Sequence, residues 1–344
     1  MTNNPITRAV VMRIGISLVF GTFLLWVAFR SVDWTSYTSP LKLLSSETCA
    51  FACLGVGAMQ LARWWRWTVL TSPLGRVTLW EQLQISLAGN ALITLLPLRL
   101  GEFARPLMLN RVAGIPVGAS LASTSVERVL DGLAMCGVFY LSVTALPSND
   151  QVPTWLTTSA NLMALIFVSA AVTVLIAMFQ RQHIPVLLDR FDERYSWFPG
   201  NRLQHLWGDV VSALDVLKIP SIAFQTLITT GIFWICNAGV IMLLLNSFGW
   251  DLPLAAPWVI TSVMVVGSLL PSGPALIGPF QASIYVALSL FQIGTTESAM
   301  FGVALYAAIM VTKLGMALPF VPRASEIFSE LLQRGIEPRR KSIT

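Results

Sequence analysis

Long apolar runs dominate this 344-residue chain, lying at about 10–29, 43–62, 83–98, 115–146, 155–179, 219–247, 257–271, 279–293 and 298–320. About 20 apolar residues in a helix cross the ~30 Å hydrocarbon core of a bilayer. Lipid offers the backbone no partners, so a crossing segment must be a helix or part of a closed barrel. The runs here are long and continuous, not the alternating segments of about ten residues that a barrel needs. An all-α polytopic membrane protein is therefore expected. Only 11% of residues are charged, and the mean hydropathy is +0.70; soluble domains average about 25% charged.

The basic residues set an orientation, because loops rich in Lys and Arg stay in the cytoplasm. Arg8 and Arg13 place the N-terminus there and leave the run up to Phe29 as a retained first span, since no cleavage signal follows it. Arg63, Arg66 and Arg76 read as a cytoplasmic loop after the second run, and Arg181, Arg190, Arg194, Arg202 and Lys218 mark a cytoplasmic middle loop. Arg323, Arg334, Arg339, Arg340 and Lys341 make residues 323–344 a basic cytoplasmic tail. The segments around Asp33, Asp150 and Asp251 carry few basic residues (Arg30 and Lys42 apart) and belong outside. The net charge of +5 thus speaks for membrane orientation and not for nucleic acid. In the middle loop, Leu203, Leu206, Trp207, Val210, Leu214 and Leu217 recur at helical spacing, as in a helix lying on the membrane surface.

Two apolar runs do not fit a simple crossing. Arg76 and Arg111 flank residues 78–111, and both belong in the cytoplasm. The stretch LLPLRLGEFARPLML (95–109) inside it contains Pro97, Gly101 and Pro106. A re-entrant hairpin that turns at Pro97–Gly101 satisfies both facts. The same reasoning applies to 257–293, where PSGPALIGP (271–279) holds three prolines and two glycines and no basic residue flanks the run. This second hairpin enters from outside. Six full spans and two hairpins then form two halves of inverted topology, 1–147 and 148–322, the plan of many secondary transporters. Pro97, Gly101, Asn90, Pro271, Ser272, Gly273, Pro274, Gly278 and Gln281 are the residues expected to shape the two hairpins.

Ionisable residues inside apolar segments are costly and mark function. Here they are Arg99, Glu102 and Arg105 in the first hairpin, Glu127, Arg128 and Asp131 in the next run, and Lys313 in the last. Glu127 and Asp131 are four apart and share a helix face, so they need cations. Arg99 or Arg105 is the expected partner, while Arg128 points elsewhere. Arginines near a restarting helix also suit a phosphate. The greasy surroundings favour a lipid phosphate, on a phospholipid or a polyprenyl chain, as the ligand. Asn237 and Gln225 are read as interhelical hydrogen-bonding groups, and His183 and His205 as loop or interface residues. Cys49, Cys53, Cys136 and Cys236 read as small apolar residues. No nucleotide loop or metal-binding spacing is present in the sequence, so neither a cofactor nor an enzyme activity is expected.

With these motifs in view, the chain resembles the transmembrane domain of the lysylphosphatidylglycerol synthase/flippase family. Asn90, Pro97, Arg99, Gly101, Glu102, Arg105, Glu127, Arg128 and Asp131 match the family's first pattern. Pro271, Ser272, Pro274, Gly278 and Phe280 match its second. Ala275 and Leu276 stand where that pattern has two glycines, and Gln281 stands where it has a glutamate. The resemblance implies movement of a lipid between leaflets of the cytoplasmic membrane of a prokaryote. The family's soluble aminoacyl-transferase domain is not seen here, so lipid aminoacylation is not expected. The alternatives are an intramembrane enzyme working through Glu102, Glu127 or Asp131, or a non-transporting partner of a lipid- or glycan-synthesis enzyme.

Overall fold

The computed structural model describes residues 44–95, 102–144, 154–179, 200–268, 274–320 and 322. Among them every regular element is helical. In chain order the α-helices are α1 (Ser46–Thr71), α2 (Leu79–Leu95), α3 (Ala104–Ala113), α4 (Val117–Thr144), α5 (Thr154–Phe179), α6 (Gly200–Asp215), α7 (Pro220–Ser247), α8 (Ala256–Gly267), α9 (Pro279–Ser289) and α10 (Thr295–Ala317).

Local chemistry sets the ends. Ser45 caps α1 by accepting from the Thr48 N–H at 3.1 Å, and Glu47 sits in the first turn. Thr78 and Glu81 form a reciprocal capping box at the start of α2. Gly114 ends α3 at a left-handed φ of 69°, with its N–H bonded to the Asn110 carbonyl. Pro220 and Pro279 occupy first-turn positions, where a missing N–H costs nothing.

Among the described residues, three segments are long and apolar enough to cross a membrane: Thr157–Phe179, Pro220–Ser247 and Thr295–Phe320. α1 and α4 match them in length, with 26 and 28 residues, but carry Arg63 and Arg66, and Glu127, Arg128 and Asp131. Large apolar side chains such as Leu165, Ile166 and Phe179 of α5 stand exposed, as lipid-facing residues must.

α1 and α7 pack extensively, and at Gly55 they come so close that a Cβ would meet Val240 Cγ2 at 2.5 Å. The main core lies around them. Phe248, Trp250 and Phe301 stack there with ring centroids 5.1 to 5.8 Å apart, over buried Ile260, Ile284 and Met300. Several of the other contacts repeat under exchange of α1–α4 with α7–α10, although α1 also packs on α10 without a matching α4–α7 contact of that size. α1 touches α2 as α7 touches α8, α3 touches α4 as α9 touches α10, and α2 packs on α10 as α8 packs on α4.

Two expectations need correction. The basic loop after the second run does not begin at Arg63: α1 continues to Thr71, and Arg63 and Arg66 lie inside it with Arg66 fully buried. Carboxylates on α4 neutralise them there, which removes the reason to leave the membrane. The amphipathic helix of the middle loop does not rest on lipid either. Trp207, Val210 and Leu214 of α6, with Leu217, pack on Leu70, Val126 and Ala177. Small residues allow the approach, since Ala119, Ala122 and Ala213 form one buried cluster and a Cβ on Gly118 would run into Asp209. Residues 96–101 and 269–273, on which most of the two predicted breaks fall, are not among the described residues. Pro97, Arg99, Gly101, Pro271, Ser272, Gly273 and His183 lie outside the described residues.

Candidate functional site

Glu127 and Asp131 do share a face of α4, and arginines meet them. Arg66 is the main partner. Its Nη2 donates to Glu127 Oε1 at 2.8 Å and to Asp131 Oδ2 at 2.9 Å, while its Nη1 donates to Asp131 Oδ1 at 2.7 Å and to Thr230 Oγ1 at 3.0 Å. Arg63 Nε donates to Glu127 Oε1 at 3.0 Å, and Arg105 Nη2 to Glu127 Oε2 at 3.1 Å. Glu127 is fully buried and holds guanidinium groups from α1 and α3. Aromatic faces complete the packing, with Arg105 over Trp67 at 5.2 Å and Arg63 and Arg66 against Phe233 at 5.7 and 5.8 Å. Gly89 on α2 makes room, because a Cβ there would collide with the Arg105 stem.

The remaining predicted charges face a cavity of about 260 Å³ beside this network. Arg63, Glu102, Arg128, Asp131 and Lys313 line it. Arg128 lies 3.7 Å from Glu102, and both are part-exposed, on the side of α4 away from Glu127. Lys313 donates to Thr94 Oγ1 at the end of α2, and among the described residues no carboxylate pairs with it. A second cavity of about 230 Å³ adjoins the first, and Thr94, Phe233, Trp234, Val265, Ser268, Leu276 and Lys313 line both. Its other walls are mostly apolar, with Met264, Phe280, Ile309 and Met310. The pair is thus one polar chamber and one greasy chamber with Lys313 at the junction. Among the described residues, five cationic side chains (Arg63, Arg66, Arg105, Arg128, Lys313) meet three carboxylates (Glu102, Glu127, Asp131), a surplus of two over network and cavity together and of one on the cavity wall itself.

The second break borders the greasy chamber. Ala275 and Leu276 take left-handed φ values of 63° and 58°, and Gly278 takes 96°. These are the positions of the family's paired glycines, and side chains at such φ are strained. Tyr306 of α10 donates to the Ala275 carbonyl at 2.9 Å and its ring packs on Phe280 at 5.1 Å. Gln281 caps α9, with its Oε1 accepting from the Gly278 N–H at 2.9 Å. Pro274 opens the short 3-10 turn before them. Asn237 donates to Thr261 Oγ1 at 2.8 Å, between α7 and α8. Asn90 is buried on α2 and its amide has no protein partner.

Arg105, Glu127 and Asp131 therefore come together as expected, but Arg105 belongs to the buried network and not to the cavity wall. Sequence reasoning missed Arg63 and Arg66. The signal was present in LARWWRWTVL (61–70): the apolar run resumes after Arg66, and the two arginines are three apart, on one helix face.

Helices long enough to cross a bilayer, lipid-facing apolar surface and a charged interior define a multi-pass helical membrane protein built around an internal polar site. The family model "Lysylphosphatidylglycerol synthase TM region" matches residues 12–321, and the chain belongs to that family. No curated protein and no solved structure matches the chain.

Proposed function

We propose that the protein moves an anionic, phosphate-bearing lipid between the leaflets of the membrane. One observation carries this reading: the charged chamber, walled by Arg63, Arg128 and Lys313 against Glu102 and Asp131, adjoins an apolar chamber with which it shares lining residues. A headgroup phosphate fits the first and an acyl or polyprenyl chain the second. The headgroup cations are Arg63, Arg128 and Lys313, with Arg99 as a further candidate. Glu102 and Asp131 hold Arg128 and Arg66 in place, while Arg66, Arg105 and Glu127 anchor the site to α1, α3 and α4.

In the same reading, residues 78–111 and 257–293 are re-entrant hairpins from opposite sides, set in halves 1–147 and 148–322, with six full spans. The exchange pattern of helix contacts supports it. Rocking of one half against the other then alternates access to a site at the interface. The termini and the tail 323–344 lie in the cytoplasm of a prokaryotic cell.

The test is translocation of fluorescent phosphatidylglycerol and phosphatidic acid in proteoliposomes, read by dithionite quenching. Wild type is expected to move at least one of them above protein-free vesicles. Lys313→Met and Arg128→Ala are expected to reduce that rate tenfold or more. Unchanged rates in folded variants sink the assignment of the headgroup site.

A further inference from the structure

Along α2, Gln82, Ser86, Asn90 and Thr94 recur every four residues and so stand on one helix face, 2%, 0%, 1% and 6% exposed. At 1.5 Å per residue the row is about 18 Å long, more than half of a ~30 Å hydrocarbon core. At its first end Gln82 Nε2 donates to Thr71 Oγ1 of α1 at 3.1 Å. At the other end Thr94 accepts from Lys313. Between these two contacts the row is unbonded: Gln82 Oε1, Ser86 Oγ and both amide atoms of Asn90 have no protein hydrogen-bond partner.

Thr71 and Gln82 fix one contact between α1 and α2 across the short connection that joins them. Helical steps of three and four back along α1 from Thr71 reach Thr68, Trp64 and Gln60, on the same face of that helix. Thr68 Oγ1, Trp64 Nε1, Trp67 Nε1 and Gln60 Oε1 are likewise buried without a partner. Trp67 packs against Ile85 and Ala88 of α2, so it lies in this seam. Leaving such a group unbonded is costly, and a set of eight is not tolerated in a dry seam. Buried waters satisfy such groups, at about three hydrogen bonds each.

We propose that the α1–α2 seam is a hydrated proton path from the Gln82 end of α2 to the amine of Lys313. Each hop breaks one O–H bond of a bridging water as the next O–H forms, and the last transfer makes an N–H bond on the neutral amine. The resulting ammonium then breaks one N–H bond and gives its proton to a water in the cavity, which restores the neutral amine, so no oxidant or reductant takes part. The charged groups that share the cavity with Lys313 are Arg63 from α1, Glu102 from the turn before α3, and Arg128 and Asp131 from α4. Tyr306 on its own helix lines the adjoining chamber, while α2, α7, α8 and α9 contribute no charged wall residue. Glu127 and the arginines are tied to one another, which leaves Lys313 as the group that can trade its proton. Coupling of this proton to lipid movement rests on the function proposed above; the path itself does not.

Microsecond X-ray hydroxyl-radical labelling of the intact protein tests the water directly. Trp67 is fully buried, so it is oxidised quickly only if water sits beside it. Rapid labelling of Trp67 is expected, and a Trp67 that labels no faster than other fully buried side chains overturns the path. Proteoliposomes loaded with pyranine and given a pH gradient then report conduction. Wild type should acidify at least tenfold faster than empty vesicles, and Asn90→Leu, checked for monodispersity, should lose that gain while Asn90→Ser keeps it. Lipid movement without proton flux removes this proposal alone. Flux that survives Asn90→Leu also removes it, and absence of both activities removes the transport reading while Trp67 labelling still decides the seam.

Discussion

Arg66 and Asp131 meet as a fork on a fork, Nη1 to Oδ1 at 2.7 Å and Nη2 to Oδ2 at 2.9 Å, with the Arg66 side chain wholly buried. The same guanidinium also reaches Glu127, so α1 and α4 are joined through one residue. Buried ion pairs of this kind add little net stability when intact, yet removing one partner strands a charge. The consequences can be measured.

Glu127→Gln should be among the most damaging single changes, because it leaves Arg63, Arg66 and Arg105 facing one another without their shared carboxylate. A loss of about 3–5 kcal/mol is expected. Glu102→Gln breaks only a part-exposed 3.7 Å pair and should cost less than about 1 kcal/mol. Thermal unfolding in detergent, followed by tryptophan fluorescence, compares the two. Equal melting points contradict the ranking.

Lys313→Met should behave in the opposite way. Among the described residues no carboxylate partners Lys313, so an apolar side chain of similar length removes a part-buried charge without stranding another. Stability is expected to hold or rise while lipid movement falls. A melting point well below wild type assigns Lys313 to the folding network instead.

Gly89→Ala tests the seat of Arg105 without touching a charge. The new methyl enters the space of the Arg105 stem. Overpacking of about 1–3 kcal/mol is expected, seen as a lowered melting point. A stability equal to wild type shows that the stem can step aside.

Ala275 holds a left-handed φ of 63°. This conformation costs an alanine about 1–2 kcal/mol relative to glycine, against about 0.4–1 kcal/mol of extra unfolded-chain entropy that glycine brings. Ala275→Gly should thus leave stability equal or up to about 1 kcal/mol higher, and Ala275→Val should lower it. Denaturation of the pair settles the sign, and a stabilised valine variant contradicts the backbone reading.

The hairpin plan has its own test. With Cys49, Cys53, Cys136 and Cys236 replaced, single cysteines at Arg76 and Arg111 should react with a membrane-impermeant maleimide from the same side. Labelling from opposite sides rules out the first hairpin and with it the inverted halves.

Hydropathy and backbone chemistry were legible directly from the chain. The apolar runs at 155–179 and 219–247 match α5 and α7 almost residue for residue, because lipid leaves such a run no alternative to a helix. The turn before α9 was legible for the same local reason: Pro274 and Pro279 interrupt the helix there, since proline lacks an N–H and clashes with the preceding turn. The face shared by Glu127 and Asp131 followed from the helical period.

Whether a charge ends a span or lies within it was decided only in three dimensions. Arg63 and Arg66 resemble a loop as long as the sequence is read one run at a time, because basic residues normally stay in water. They are buried because α4 brings Glu127 and Asp131 within hydrogen-bond reach, across more than sixty residues of chain. Tertiary packing likewise moved Arg105 from the proposed headgroup site into the network and put Lys313 at the junction of the two chambers. Sequence alone determined which segments are apolar enough to form membrane helices; the contacts between them determined which charges are neutralised and which line the cavity.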